Sequence, residues 1–184
     1  IAVRVGEQAG VGHIYRFMKN SLGVTSLTPE DNDSGPMILG SQTHGISPYE
    51  LAGAYMMLGN GGSFTTLHCY TSVQTGYGRE IAAPELKTKQ VLGTDTAYVM
   101  NRLLAQVMQG GEMDSVGKTG TSSDNRDYWF VGMTPYYVTA TWYGYDSGFA
   151  LNTASGTHAP TTAWKYVMER AQQGLPVLEF PVDE

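Results

Sequence analysis

Val116-Gly117-Lys118-Thr119-Gly120-Thr121 is the stretch on which the reading turns. Its alternation is that of a strand. An ammonium, two hydroxyls and a glycine stand within four positions, from Lys118 to Thr121. Such a strand suits an anionic peptide. Lys118 adds positive potential, Thr119 and Thr121 donate to a carboxylate, and Gly120 lets a substrate backbone come close. An exposed backbone N–H at Thr121 can also donate to a developing oxyanion. A bare Lys-Thr-Gly is also compatible with a surface hairpin strand and a solvated lysine, so its flanks must decide.

Downstream, Tyr128–Met133 and Tyr136–Tyr143 are further strand-like runs, with Thr134-Pro135 as a tight turn between them. Upstream, Ser47-Pro48-Tyr49-Glu50 is a capping box with proline at the first helical position. The helix it opens has Leu51, Ala54, Tyr55 and Leu58 on one face and ends at Gly59-Asn60-Gly61-Gly62. A helix capped by Thr94 places Ala97, Met100, Leu104 and Met108 on one face and closes at Gly110-Gly111. Val11–Leu22 reads as a helix carrying Ile14, Phe17, Met18 and Leu22, stopped by Gly23. Residues 1–6 read as the end of a buried element, residues 24–46 as a long irregular loop, and Leu67–Thr75 as a strand turning at Gly76–Arg79. A last helix runs from near Pro160 to Gly174. The expected organisation is a domain portion over 1–174 and an extended acidic tail over 175–184. Helices, then adjacent strands, then a closing helix, with no βαβ alternation, predict an α+β fold: an antiparallel sheet with helices packed on it.

Bulk properties narrow the function. At 184 residues with 41% hydrophobic and 15% charged content, the chain can bury a core and is not disordered. A net charge of −6 argues against a nucleic-acid partner, which requires clustered Lys and Arg. No run reaches the length of a membrane helix, and there is no leader pattern. The first residue is Ile rather than Met, which leads to the expectation that sequence precedes it. Cys69 is the single cysteine, so an intrachain disulfide and paired-cysteine zinc sites are excluded; it reads as a half-buried strand residue. His13, His44, His68 and His158 lack metal-ligand spacing, and Asp31 with Asp33 lacks the rest of a calcium loop. No metal or organic cofactor is expected.

The flanks carry a resemblance. Gly45-Ile46-Ser47-Pro48-Tyr49-Glu50-Leu51-Ala52-Gly53-Ala54-Tyr55, Gly59-Asn60-Gly61-Gly62, the Lys-Thr-Gly-Thr strand, Asp127–Pro135 and Val138–Asp146 together resemble the transpeptidase domain of class A, bifunctional penicillin-binding proteins. The likeness covers most of residues 1–170. It implies the fold shared with serine β-lactamases, in partial form, and a known set of motifs: S-x-x-K, S-x-N and K-T-G. By that resemblance Lys118 and Thr121 are catalytic: Lys118 meets the base network around the nucleophile, and the Thr121 N–H forms half of an oxyanion hole. Lys118, Thr119, Gly120 and Thr121 are substrate-binding, the two threonines holding the carboxylate of substrate or β-lactam. Trp129 and Phe130 match an aromatic pair read as packing residues.

Two strings imitate the missing motifs. Ser115-Val116-Gly117-Lys118 matches S-x-x-K, but on a strand, where positions three apart face opposite ways. Ser123-Asp124-Asn125 matches S-x-N, but in a polar turn after that strand. Ile1-Ala2-Val3 resembles the family's segment directly after S-x-N. By that resemblance the nucleophile, its lysine and the S-x-N residues are expected upstream, and residues 1–184 alone are not expected to perform acyl transfer. The implied function is a serine D,D-transpeptidase cross-linking peptidoglycan stem peptides that end in D-Ala-D-Ala, inhibited by β-lactams. It implies a place at the extracytoplasmic face of the bacterial membrane, held by an anchor outside this chain. The alternatives are a D,D-carboxypeptidase or β-lactamase, and a β-lactam-sensing or peptidoglycan-binding domain without turnover.

Overall fold

In a computed structural model, which describes residues 1–106, 115–151 and 158–180, the chain runs through α1 (Ala2–Ala9), α2 (Val11–Arg16), α3 (Pro48–Gly59), β1 (Ser63–Thr65), β2 (Val73–Gln74), β3 (Glu80–Ala82), β4 (Thr88–Gln90), α4 (Thr94–Ala105), β5 (Val116–Thr121), β6 (Asp127–Met133), β7 (Val138–Gly144) and α5 (Ala159–Ala171). A π-helical turn, Phe17–Ser21, continues α2. Strands β5, β6 and β7 form an antiparallel sheet in that order, as the alternation predicts. The β6–β7 turn closes where Thr134 N donates to Tyr137 O at 2.9 Å.

Register sorts the sheet into two faces, because paired residues project to the same side. Val116 lies opposite Met133, Lys118 opposite Val131, and Gly120 opposite Trp129. Gly117, Thr119 and Thr121 face the other way, opposite Gly132, Phe130 and Tyr128. Helix α5 covers this second face. Phe130, Trp164 and Met168 form a buried cluster, with the Phe130 and Trp164 rings edge-on at 5.1 Å. Trp164 Nε1 donates to Gly132 O at 3.0 Å, so the indole is both apolar filling and hydrogen-bonded. Gly132 is required there: a Cβ would stand 2.7 Å from both the Phe130 and Trp164 rings.

Helices α3 and α4 cover the first face through Leu58, Leu104, Val116 and Met133. Each such buried side chain stabilises the fold by roughly 1.5–3 kcal/mol. A third cluster, Leu22, Val24 and Leu27, lies under the segment after α2, so Leu22 is buried as the helical face predicts.

Elsewhere the structure corrects the sequence reading. Residues 2–9 are a helix with Ile1 and Val5 exposed; only Gly6 is buried, against Ile38. The 24–46 loop contains helical turns at Pro29–Asp31 and Gly35–Leu39. Leu67–Thr75 is not one strand: only Val73–Gln74 pairs, with Glu80–Ala82, across the expected turn. Cys69 is exposed and outside any strand, so its half-buried reading fails. The pairing of β1 with β4 is not legible in the sequence, because strands this short carry little periodicity. Thr94 is the first helical residue and Gly93 the cap position. On α4, Ala97 and Leu104 are buried as expected, but Met100 is exposed and Asn101 is buried instead, its Nδ2 donating to Leu58 O at 3.0 Å. That bond serves a carbonyl at the end of α3, where helical partners run out. Met108, Gly110 and Gly111 lie outside the described residues. No helix among the described residues is long and apolar enough to cross a membrane.

Candidate active site

Lys118, Thr119, Gly120 and Thr121 line a cleft of about 730 Å³. Strand β5 is the outer strand of its sheet among the described residues, so its cleft-side backbone edge is not covered by another strand. Lys118 is exposed, and its Nζ donates to Thr119 O at 3.0 Å. Among the described residues it forms no ion pair, which leaves its charge available to an anion in the cleft.

The floor beside these residues is aromatic. Trp129 and Trp142 stand on adjacent strands with ring centroids 6.4 Å apart, on the same sheet face as Lys118. Phe130 is a packing residue as the sequence suggests, but Trp129 is not only that: it lines the cleft. The strand alternation already separates the two, since neighbours point oppositely. Gly120 has a packing reason as well as an access reason, because a Cβ there would lie 3.2 Å from Trp129 Cβ. Asp127 joins this wall. It accepts from Trp142 Nε1 at 2.8 Å and from Ser122 Oγ at 2.9 Å, and its own N–H donates back to Ser122 Oγ at 2.8 Å. The sequence reading misses this network, in which Ser122 meets Asp127 across the β5–β6 turn and Trp142 reaches it through the β6–β7 register.

The opposite wall comes from Leu39, Gln42, His44 and Ile46 in the long loop and from Leu51 and Tyr55 on α3. Burial pushes the Tyr55 hydroxyl above its ordinary value. Two carboxylates brace this wall. Asp31 is buried; Oδ2 accepts from Thr28 N at 2.8 Å and Thr28 Oγ1 at 3.1 Å, and Oδ1 from Thr43 N at 2.7 Å and Thr43 Oγ1 at 2.8 Å. The backbone N–H groups of Thr28 and then Thr43 hold its carboxyl down at about 2. Asp31 is thus a clasp across the loop. Glu50 closes the capping box with Ser47, and its Oε1 also grips Thr25 N at 2.7 Å and Ser26 N at 3.1 Å. Burial alone would raise the Glu50 carboxyl, but the hydrogen bonds together outweigh it and hold it at about 2.

Neither Ser115 nor Ser123–Asn125 lines the cleft. Ser115 is buried just before β5, out of step with Lys118. Ser123–Asn125 is a short turn with Asp124 at φ 59 and Asn125 at φ 54. Among the described residues no three His, Cys, Asp or Glu are placed to hold a metal. A second hollow, about 600 Å³ between α3 and α4, offers Tyr55, Asp95 and Thr96 beside apolar groups such as Val99, Met100 and Leu103.

A Lys-Thr-Gly strand at the edge of a sheet that is held between a C-terminal helix and a helical layer points to one class of protein. The penicillin binding protein transpeptidase domain matches residues 8–158, and the chain belongs to that family. Penicillin-binding protein 1A of Clostridium botulinum (strain Langeland) is 29% identical over 187 residues, covering 96% of this chain and 22% of that protein. Penicillin-binding protein 4 of Bacillus subtilis is 31% identical over 144 residues, covering 74% of this chain and 23% of that protein. The chain thus spans about a fifth of the length of these relatives. The solved structure of PonA1 from Mycobacterium tuberculosis in complex with penicillin V has the same fold, with a TM-score of 0.83, 23% identity, and coverage of 99% of this chain and 56% of that one.

Proposed function

We propose that this chain forms one wall of a serine D,D-transpeptidase site, with Lys118, Thr119, Gly120 and Thr121 binding the carboxylate-bearing end of a peptidoglycan stem peptide. One observation carries the reading: Lys118, in no ion pair among the described residues, and two threonines on an outer strand line a cleft in a penicillin-binding transpeptidase domain. The nucleophile is a serine from sequence outside residues 1–184. Its Oγ attacks the carbonyl of the penultimate D-Ala, and terminal D-Ala leaves with a proton on its amine. An amine of a neighbouring peptide then displaces the serine, which regains its proton, and the cross-link is made. Lys118 holds positive potential beside the serine–base pair, and Thr121 N–H steadies the oxyanion in both steps. Thr119 and Thr121 hydroxyls hold the substrate carboxylate. The apolar cleft residues Leu39, Ile46 and Leu51 suit cover by that upstream segment, since a short peptide would leave them wet. β-Lactams acylate the same serine, and the intact protein works at the outer face of the bacterial membrane.

The test is covalent labelling by fluorescent penicillin. The intact protein labels and residues 1–184 alone do not. Lys118→Ala in the intact protein lowers the acylation rate by roughly a hundredfold, the scale of losing one electrostatic stabiliser. An unchanged rate removes the role of Lys118, and labelling of the isolated chain removes the upstream serine.

A further inference from the structure

The segment after α5 crosses from one side of the sheet to the other. Helix α5 packs on the Phe130 face. Gly174, at φ +83, turns the chain out of the helix. Tyr136, in the β6–β7 turn, then donates its hydroxyl to Pro176 O at 2.8 Å. Val177 is 79% exposed, yet Phe180 is only 9% exposed. Phe180 sits in the cluster of Leu58, Leu104, Val116 and Met133, on the opposite face, where α3 and α4 meet the sheet. After the exposed residues 174–179, Phe180 is thus an aromatic anchor in the core.

The position of that anchor connects it to the cleft. Val116 opens β5 and projects to the same side as Lys118 and Gly120. Leu58 ends the helix whose other end bears Pro48 and Leu51 in the opposite wall. Phe180 therefore shares one buried cluster with the roots of both walls. Close-packed interiors transmit a displacement at such a root, because a void removes contacts that nothing else replaces.

We propose that residues 175–180 are a strap and Phe180 a positioning residue, which together set β5 against α3 and so fix where Lys118–Thr121 stand in the cleft. The proposal rests on the cleft being the acyl-transfer site. The strap acts by limiting local opening of β5 rather than by contributing to the chemistry.

The experiment compares Phe180→Ala, Phe180→Leu and Leu27→Ala in the intact protein. Leu27 is a core residue of the separate cluster under α2 and serves as the control for general loss of stability. Amide hydrogen exchange is followed in peptides spanning 116–121 and 11–22, and acylation by fluorescent penicillin is resolved into initial affinity and rate constant. Phe180→Ala is expected to speed exchange in 116–121 by roughly tenfold and leave 11–22 unchanged. Its acylation rate constant falls by roughly tenfold, with initial affinity within about twofold, as for reacting groups displaced by a fraction of an ångström. Phe180→Leu gives smaller changes in the same direction, roughly threefold in each, and carries the comparison if the alanine variant does not fold. Leu27→Ala leaves exchange in 116–121 unchanged. Equal effects of Phe180→Ala and Leu27→Ala on 116–121, or no effect of either Phe180 variant there, overturn the strap. A wild-type protein that does not acylate refutes the proposed function instead, while the exchange measurement still decides the strap.

Discussion

Replacing Glu50 by alanine tests how the loop wall of the cleft is held. The carboxylate accepts from Thr25 N at 2.7 Å, Thr25 Oγ1 at 2.9 Å, Ser26 N at 3.1 Å, Ser47 N at 3.1 Å and Ser47 Oγ at 3.0 Å. Losing the capping-box share costs about 1 kcal/mol. Losing a charged acceptor for Thr25 and Ser26 adds roughly 1–2 kcal/mol, discounted because the group is partly exposed and water can replace it. The expected destabilisation is about 2–3 kcal/mol, or roughly 4–12 °C in Tm for a domain of this size. Urea unfolding at pH 7 measures it, with Ser47→Ala as the cap-only comparison at about 1 kcal/mol. The dependence on pH is a sharper check. The folded carboxyl stands at about 2 against an ordinary value of 4.5, so its contribution is complete above 4.5 and is lost as pH falls toward 2. The gap between wild type and Glu50→Ala should therefore shrink between pH 7 and pH 3. A gap below about 0.5 kcal/mol at pH 7, or an equal gap at both pH values, refutes the account.

Two further outcomes concern the sheet. Gly132→Ala puts a Cβ 2.7 Å from two rings and should destabilise by about 2–3 kcal/mol, read by urea unfolding and by changed near-UV dichroism of Trp164. Trp142→Phe keeps the aromatic floor but removes the 2.8 Å bond to Asp127; about 1 kcal/mol of stability should go, whereas an unchanged midpoint would mean that water replaces that bond without loss.

Local signals explain which parts are readable without coordinates. The capping box at Ser47–Glu50 is written in four adjacent residues, and the helix starts where it says. The β5–β7 alternation survives as paired strands because one residue's slip would turn every apolar side chain outward. Thr28-Pro29-Glu30-Asp31 is likewise a readable capping box, hidden in a loop whose composition reads as irregular. Strands of two or three residues, such as β1 to β4, carry no period to read.

Sequence alone therefore determined the Lys118–Thr121 strand and its family, because a strand's side-chain order is local. Tertiary structure decided what faces that strand. The sharing of a cleft by Lys118 and Leu51, the turn of Trp129 toward it, the tie of Trp142 to Asp127 and the return of Phe180 into the core all join residues far apart in the chain. Such contacts are selected by burial and packing across the whole domain, which no short window of residues contains.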